Sequence, residues 1–98
     1  MLKWETASEI DNLGFNVYRA EAADGSYTKL NANLIPSLVP PGSPVGADYI
    51  FRDRTAQPGV KYFYKLEAVD LYGYGVMHGP VKAMMRPRAS ELNLSSGQ

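Results

Sequence analysis

The sequence predicts an all-β domain, an antiparallel β-sandwich of six short strands, and three observations carry that prediction. The first is the run Lys61 to Asp70. Tyr62, Tyr64, Leu66 and Ala68 share one parity there, while Lys61, Lys65 and Glu67 share the other, the period of two that marks a half-buried strand; only Phe63 interrupts it. The second is punctuation: clusters of glycine, proline and aspartate divide the chain into short alternating runs, and none of these shows a convincing helical period. The third is size and composition. Ninety-eight residues suffice for one core without disulfides, and 45% apolar with 20% charged residues is an ordinary globular balance that indicates neither disorder nor a membrane span.

In chain order, Leu2, Trp4 and Thr6 alternate with Lys3 and Glu5, a short first strand with Trp4 pointing inward. Residues 7 to 14 read as a polar loop, although Ser8 to Asp11 also fits a single helical turn with a serine cap. Phe15 to Ala20 resumes alternation, with Phe15 and Val17 inward and Asn16 and Tyr18 outward. The turn Ala23-Asp24-Gly25-Ser26 and the short strand Tyr27 to Leu30 complete a hairpin. From Asn31 to Asp48, Pro36, Pro40, Pro41, Gly42, Pro44 and Gly46 exclude a central strand; the segment reads as a long surface connection held down by Leu34, Ile35, Leu38 and Val39.

Tyr49 to Asp53 is the next strand, Tyr49 and Phe51 inward, with Asp53 placed to accept backbone hydrogen bonds from the Arg54–Gln57 turn. Pro58-Gly59 then turns the chain into Lys61–Asp70: proline presets its own φ and glycine accepts a left-handed one. Gly73 and Gly75 reverse it again. Val76 to Met85 is the last strand, with Val81, Ala83 and Met85 inward and Gly79-Pro80 near its start, which places it on an edge. Residues 1–86 are thus one domain. Residues 87–98 are a polar, serine-rich tail apart from the alternation Leu92-Asn93-Leu94.

Several chemistries are disfavoured. Ten basic residues balance ten acidic ones, and Arg52, Arg54, Arg86 and Arg88 are scattered among acids, so no nucleic-acid or anionic-membrane partner is expected. Without cysteine there is no thiol nucleophile, disulfide or thiolate metal site. His78, the single histidine, reads as a surface or packing residue, since triads and zinc sites need partners. Glu5, Asp53, Glu67 and Asp70 read as ordinary solvated charges of strand faces and turns rather than a glycosidase pair. Asp11-Asn12 and Asp24-Gly25 fall short of a calcium-loop spacing and read as turn chemistry. No catalytic, cofactor or metal residues are assigned, and no cofactor is expected.

The pattern Tyr49-x-Phe51-x-Asp53-x-x-Ala56-x-Pro58-Gly59-x-x-Tyr62-x-Tyr64-x-Leu66-x-Ala68-x-Asp70-x-x-Gly73, with Trp4 and Gly14-Phe15-x-Val17-Tyr18-Arg19 before it, resembles a fibronectin type III domain over roughly residues 2 to 86. Trp4 to Asn12 and His78-Gly79-Pro80-Val81 resemble, more narrowly, a bacterial subgroup at the C-terminal ends of exported multidomain proteins. The resemblance implies an immunoglobulin-like sandwich of the fibronectin type III type, with an extracellular or cell-surface location. It makes Tyr62 the tyrosine-corner residue, its hydroxyl bonded back to the backbone near Pro58-Gly59. Trp4, Pro58, Gly59, Tyr62, Tyr64 and Leu66 are then the structural residues. The arginine-glycine-aspartate tripeptide is absent, and so is the leader composition of a signal peptide.

The family has a strand before the tryptophan strand, and nothing here precedes Leu2 but Met1, which reads as an artificial start within a longer protein. The edge at Leu2 is therefore expected to be open. Two readings of the tail follow: it is disordered, or Glu91 to Ser95, with Leu92 and Leu94, pairs with that edge in the same molecule or in a second one as a swapped dimer. Tyr18 and Phe63, on neighbouring strands with Lys61 and Lys65 beside them, form either a candidate interaction surface for a sugar ring or partner domain, or simple cross-strand cover. The function expected is a non-catalytic spacer or protein-interaction module of a larger exported bacterial protein, contacting its neighbouring domains. A carbohydrate-binding module taking polysaccharide is the alternative, and an accessory or degraded domain of an extracellular hydrolase the third.

Overall fold

The structure, a computed structural model, describes residues 2–7, 9, 11–40, 46–84 and 92–93. Among these there is no helix, so the helical turn that fits Ser8 to Asp11 is not reached at its described positions. Among the described residues eight strands form two sheets: β1 Leu2–Glu5, β2 Asn12–Ala20, β3 Thr28–Lys29, β4 Ile35–Pro36, β5 Asp48–Phe51, β6 Lys61–Asp70, β7 Gly75–Met84 and β8 Leu92–Asn93. One sheet has the order β5-β1-β8; the other runs β3-β2-β6-β7, with β4 also paired to β2. Every pairing is antiparallel except that of β8 with β1.

Inward residues of both sheets meet in one core of Leu2, Trp4, Phe15, Val17, Tyr49, Tyr62, Tyr64 and Leu66. Its centre is aromatic. Trp4 stacks on Tyr49 with ring centroids 5.3 Å apart and planes within 6°, and the edge-to-face contacts of Phe15 lie at 5.4 Å to Trp4 and 4.7 Å to Tyr49. Such offset and edge contacts satisfy the ring quadrupoles while removing large apolar areas from water, about 1.5–3 kcal/mol for each fully buried side chain. Since β1 and β5 contribute Trp4 and Tyr49 and β2 contributes Phe15, this trio joins the two layers.

Several sequence expectations need correction. The loop read over residues 7–14 ends early, because β2 begins at Asn12, where a register shift between Asn12 and Gly14 lets the polar start of the strand pair with Asp70. The connection 31–48 is not wholly irregular: Ile35 and Pro36 pair with Phe15 and Gly14 as a two-residue edge strand, short enough to tolerate proline. Gly14 allows that approach, since a β-carbon there would lie 2.4 Å from the Ile35 carbonyl oxygen. Leu38, expected to anchor the connection, is 65% exposed.

β7 is the described edge of its sheet, and Gly79-Pro80 lies within the strand rather than near its start. The register passes from Tyr64 opposite Val81 to Leu66 opposite His78, so that dipeptide faces the single residue Lys65 as a bulge. Gly59 has φ of +80°, the left-handed turn geometry that precedes β6.

Beside β1, Leu2 pairs with Leu92 and Lys3 with Asn93 in one chain. Of the 87–98 tail only these two residues are described. Leu94 lies outside the described residues, as does Met85 of the last strand.

Candidate functional site

Two carboxylates, buried Glu9 and half-buried Asp53, organise the polar interior. Glu9, only 2% exposed, sits in the segment between β1 and β2. Its Oε2 accepts from Thr6 Oγ1 at 2.6 Å, its Oε1 from Asn12 Nδ2 at 2.9 Å and Ser37 Oγ at 2.5 Å, and both oxygens lie within 2.8 Å of the donating Tyr49 hydroxyl. That hydroxyl accepts in turn from the Leu38 backbone N–H at 2.9 Å. Burial raises the Glu9 pKa, but the donated bonds of Ser37, Thr6, Asn12 and Tyr49 outweigh it and hold the carboxyl below its ordinary value. The carboxylate therefore ties the β1–β2 segment, the 31–48 connection and β5 together.

Asp53 does the same at the other end of the sandwich. Its Oδ1 and Oδ2 receive Arg19 Nη1 at 3.0 and 2.9 Å, and the Tyr64 hydroxyl donates to Oδ2 at 2.5 Å. The Thr55 backbone N–H donates to Oδ1 at 3.2 Å, starting the turn after β5. Burial raises the Asp53 pKa, while Tyr64, Arg19 and Thr55 lower it further, so the net direction is down. Burial first, then Asp53, pushes the Tyr64 hydroxyl up. The Arg19 guanidinium also lies 4.5 Å from the Tyr62 ring centre, and the Tyr62 hydroxyl accepts from the Gln57 N–H at 3.1 Å. Asp53 is thus not the solvated charge that its strand-end position suggests. Arg19 from the facing sheet and Tyr64 from β6 desolvate it.

The other acids differ from it and from one another. Glu67 is half-buried and accepts from Asn16 Nδ2 at 3.0 Å and from the Tyr18 hydroxyl at 2.9 Å; Asp70 Oδ1 accepts the N–H groups of Tyr72 and Tyr74; Glu5 is exposed. His78 is exposed on β7. No group of three metal-ligating side chains occurs among the described residues, and no described helix is long and apolar enough to cross a membrane.

The surface expected at Tyr18, Phe63, Lys61 and Lys65 is not an open aromatic platform. Tyr18 and Phe63 are both half-buried; Tyr18 pairs with Lys65 across the sheet, and Phe63 lies between Ala20 and Lys82. Lys65 Nζ lies 4.3 Å from the Tyr27 ring centre, and Lys61 alone of the four is exposed. Exposed apolar groups gather instead at the β6–β7 tip, where Tyr72 is 78% and Tyr74 73% exposed, with Leu71, Val76 and Met77 next to them. Asp70 Oδ1 receives the Tyr72 N–H at 2.8 Å and the Tyr74 N–H at 3.0 Å, and the Asp70 N–H donates to the Tyr74 carbonyl at 2.9 Å, so the tip is a hydrogen-bonded turn. Its signal lies in Leu71-Tyr72-Gly73-Tyr74, where two tyrosines flank the glycine of the reversal.

A groove of about 620 Å³ is lined by residues of β1, the β1–β2 segment, β2, β6 and β7. Trp4, Phe15, Leu66 and Ala68 form its apolar lining with Val76 and Val81 of β7. The Trp4 indole N–H, although buried, has no hydrogen-bond partner among the described residues.

The chain matches no protein-family model, no curated protein and no solved structure.

Proposed function

We propose that the chain is a non-catalytic β-sandwich module of the fibronectin type III type, a spacer and protein-interaction domain of a larger exported or cell-surface bacterial protein, and that it meets its neighbour through the β6–β7 tip. The observation that carries this reading is the exposure of Tyr72 and Tyr74 on a turn held by Asp70. Aromatic side chains offer large contact area at a cost of only two side-chain torsions, and a pre-ordered turn lowers the entropy lost on docking. The non-catalytic part is supported by the use of Glu9 and Asp53. Their oxygens are engaged by internal donors from several segments, as expected of cross-links within a fold.

The same two exposed rings favour polysaccharide as the second reading, now at Tyr72 and Tyr74 rather than at Tyr18 and Phe63. The deciding experiment places a photo-crosslinking residue at Tyr72 or at Tyr74 in the longer protein, with exposed Lys29 as control. Crosslinks to a protein segment from positions 72 and 74 that exceed those from 29 are the expected result; equal yields reject the tip as the contact face. Polysaccharide retention that is lost in Tyr72→Ser/Tyr74→Ser carries the second reading instead.

A further inference from the structure

We propose that β7 pairs edge to edge with β7 of a second copy of the chain, antiparallel about a two-fold axis at Met77. This goes beyond the interaction reading: the partner is a second copy, the contact is backbone, and the edge belongs to the sheet that does not contain β1.

The guarding of the sheet edges singles β7 out. Natural sheets protect edge strands with charge, proline, bulges or shortness. β3 has two residues and carries exposed Lys29, β4 has two and carries exposed Pro36, and β5 opens on exposed Asp48 and runs into exposed Arg52. β7 has ten residues and, among the described residues, no neighbour but β6. Its own guards, the Gly79-Pro80 bulge and Lys82, come late. From Leu71 to Val81 there is no Asp, Glu, Lys or Arg, and every residue from 71 to 80 is exposed, Val76 by 60% and Met77 by 48%. An uncharged, largely apolar edge of this kind is a template for another strand.

The phase of the hydrogen bonding shows which backbone groups are free. The Val17 N–H donates to Asn31 Oδ1 and its carbonyl accepts from the Leu30 N–H, both at 2.8 Å, so neither group serves β6. Bonded and non-bonded pairs alternate along an antiparallel ladder; Asn16 therefore bonds with Glu67, whose N–H and C=O turn toward β2 and away from β7. Met77 lies opposite Glu67 and Gly75 opposite Val69, so both residues of β7 turn N–H and C=O to the open edge. The Asp70 N–H, donating to the Tyr74 carbonyl at 2.9 Å, sets the β6–β7 ladder in the same phase.

A second copy matches this edge in length and chemistry. The unguarded stretch from Gly75 to Gly79 is bounded by the tip turn and the bulge, and Met77 is its midpoint. A two-fold axis there lets the two Met77 residues exchange both backbone bonds and sets Val76 opposite the other copy's His78. One rung beyond Gly75, Tyr74, 73% exposed, comes beside the other copy's Pro80. No charged side chain falls within the paired stretch, and both strands end at the same two terminators.

The test follows the chain by sedimentation equilibrium over a wide range of concentration, with far-ultraviolet circular dichroism as the control for folding. The parent is expected to pass from monomer to dimer, and the amides of residues 75 and 77 to exchange more slowly as it does. Met77→Pro removes only an N–H that faces the edge, and Met77→Lys adds the missing guard. Each is expected to weaken self-association by about tenfold or more, the worth of the two bonds exchanged at Met77. Ile50→Lys, on the β5 edge, should associate as the parent does. If Met77→Pro does not fold, Met77→Lys carries the comparison. A parent that stays monomeric throughout overturns the proposal, and so does parent-like association in a folded Met77 variant. A dimer lost in folded Ile50→Lys, or one that leaves the exchange of residues 75 and 77 unchanged, also overturns it, because the interface then lies elsewhere.

Discussion

Replacing Glu9 by alanine removes the acceptor shared by Thr6, Asn12, Ser37 and Tyr49. Three of those donors are half-buried and can turn to water, so each loses only the net value of one bond, about 0.5–1.5 kcal/mol. Tyr49 is 4% exposed, and its stranded hydroxyl costs about 1–3 kcal/mol. Relief of the buried charge offsets part of the sum, which leaves roughly 2–4 kcal/mol. Glu9→Gln keeps the shape and one acceptor oxygen, while its amide needs a hydroxyl to reverse, so a loss of about 1 kcal/mol is expected. Urea unfolding followed by Trp4 fluorescence measures both, since Trp4 stacks directly on Tyr49. The pH dependence has a definite sign. The folded carboxyl titrates below the ordinary glutamate value of 4.5, so its stabilisation is present above pH 4.5 and is lost as pH falls through the folded value. Glu9→Gln should lack this acid limb. A loss under about 0.5 kcal/mol for Glu9→Ala would refute the reasoning, because a carboxylate so cheaply removed is not what joins these segments.

Two further substitutions test the opposite end and the strand contact. Tyr64→Phe removes the 2.5 Å bond to Asp53, so a loss of about 1–3 kcal/mol is expected in urea unfolding. In the same variant the Asp53 carboxyl should titrate at higher pH by carbon-detected NMR, because one of the donors that lowers it is gone; an unchanged titration contradicts the assigned cause. Gly14→Ala puts a β-carbon 2.4 Å from the Ile35 carbonyl oxygen, and β4 must move off β2. Faster amide exchange of residues 35 and 37 with a loss of roughly 2 kcal/mol or more is expected, whereas parent-like exchange means that the contact is looser than described.

The strands were legible because alternation is local: the parities of Tyr62, Tyr64 and Leu66, and of Phe15 and Val17, show which side chains a sheet can bury. The centre of the core followed from Trp4 for the same reason. Glu9 was not legible. It lies in a polar run that reads as loop, and its donors Ser37 and Tyr49 stand 28 and 40 residues away. Asp53 was legible only as a turn acceptor through Thr55, two residues on; its bond to Arg19 spans 34 residues. The proposed contact face moved for a similar cause, since parity separates two faces of a sheet but does not tell how far cross-strand neighbours cover Tyr18 and Phe63.

The sequence by itself determined an all-β chain, where most of its strands lie and which of their faces turn inward, because these follow from the period of two and from residues that bend the backbone. Tertiary structure alone decided that Glu9 and Asp53 are internal cross-links and that Tyr72 and Tyr74 stand in solvent. Desolvation and hydrogen bonding are set by neighbours in space, and in a sandwich those neighbours come from distant parts of the chain.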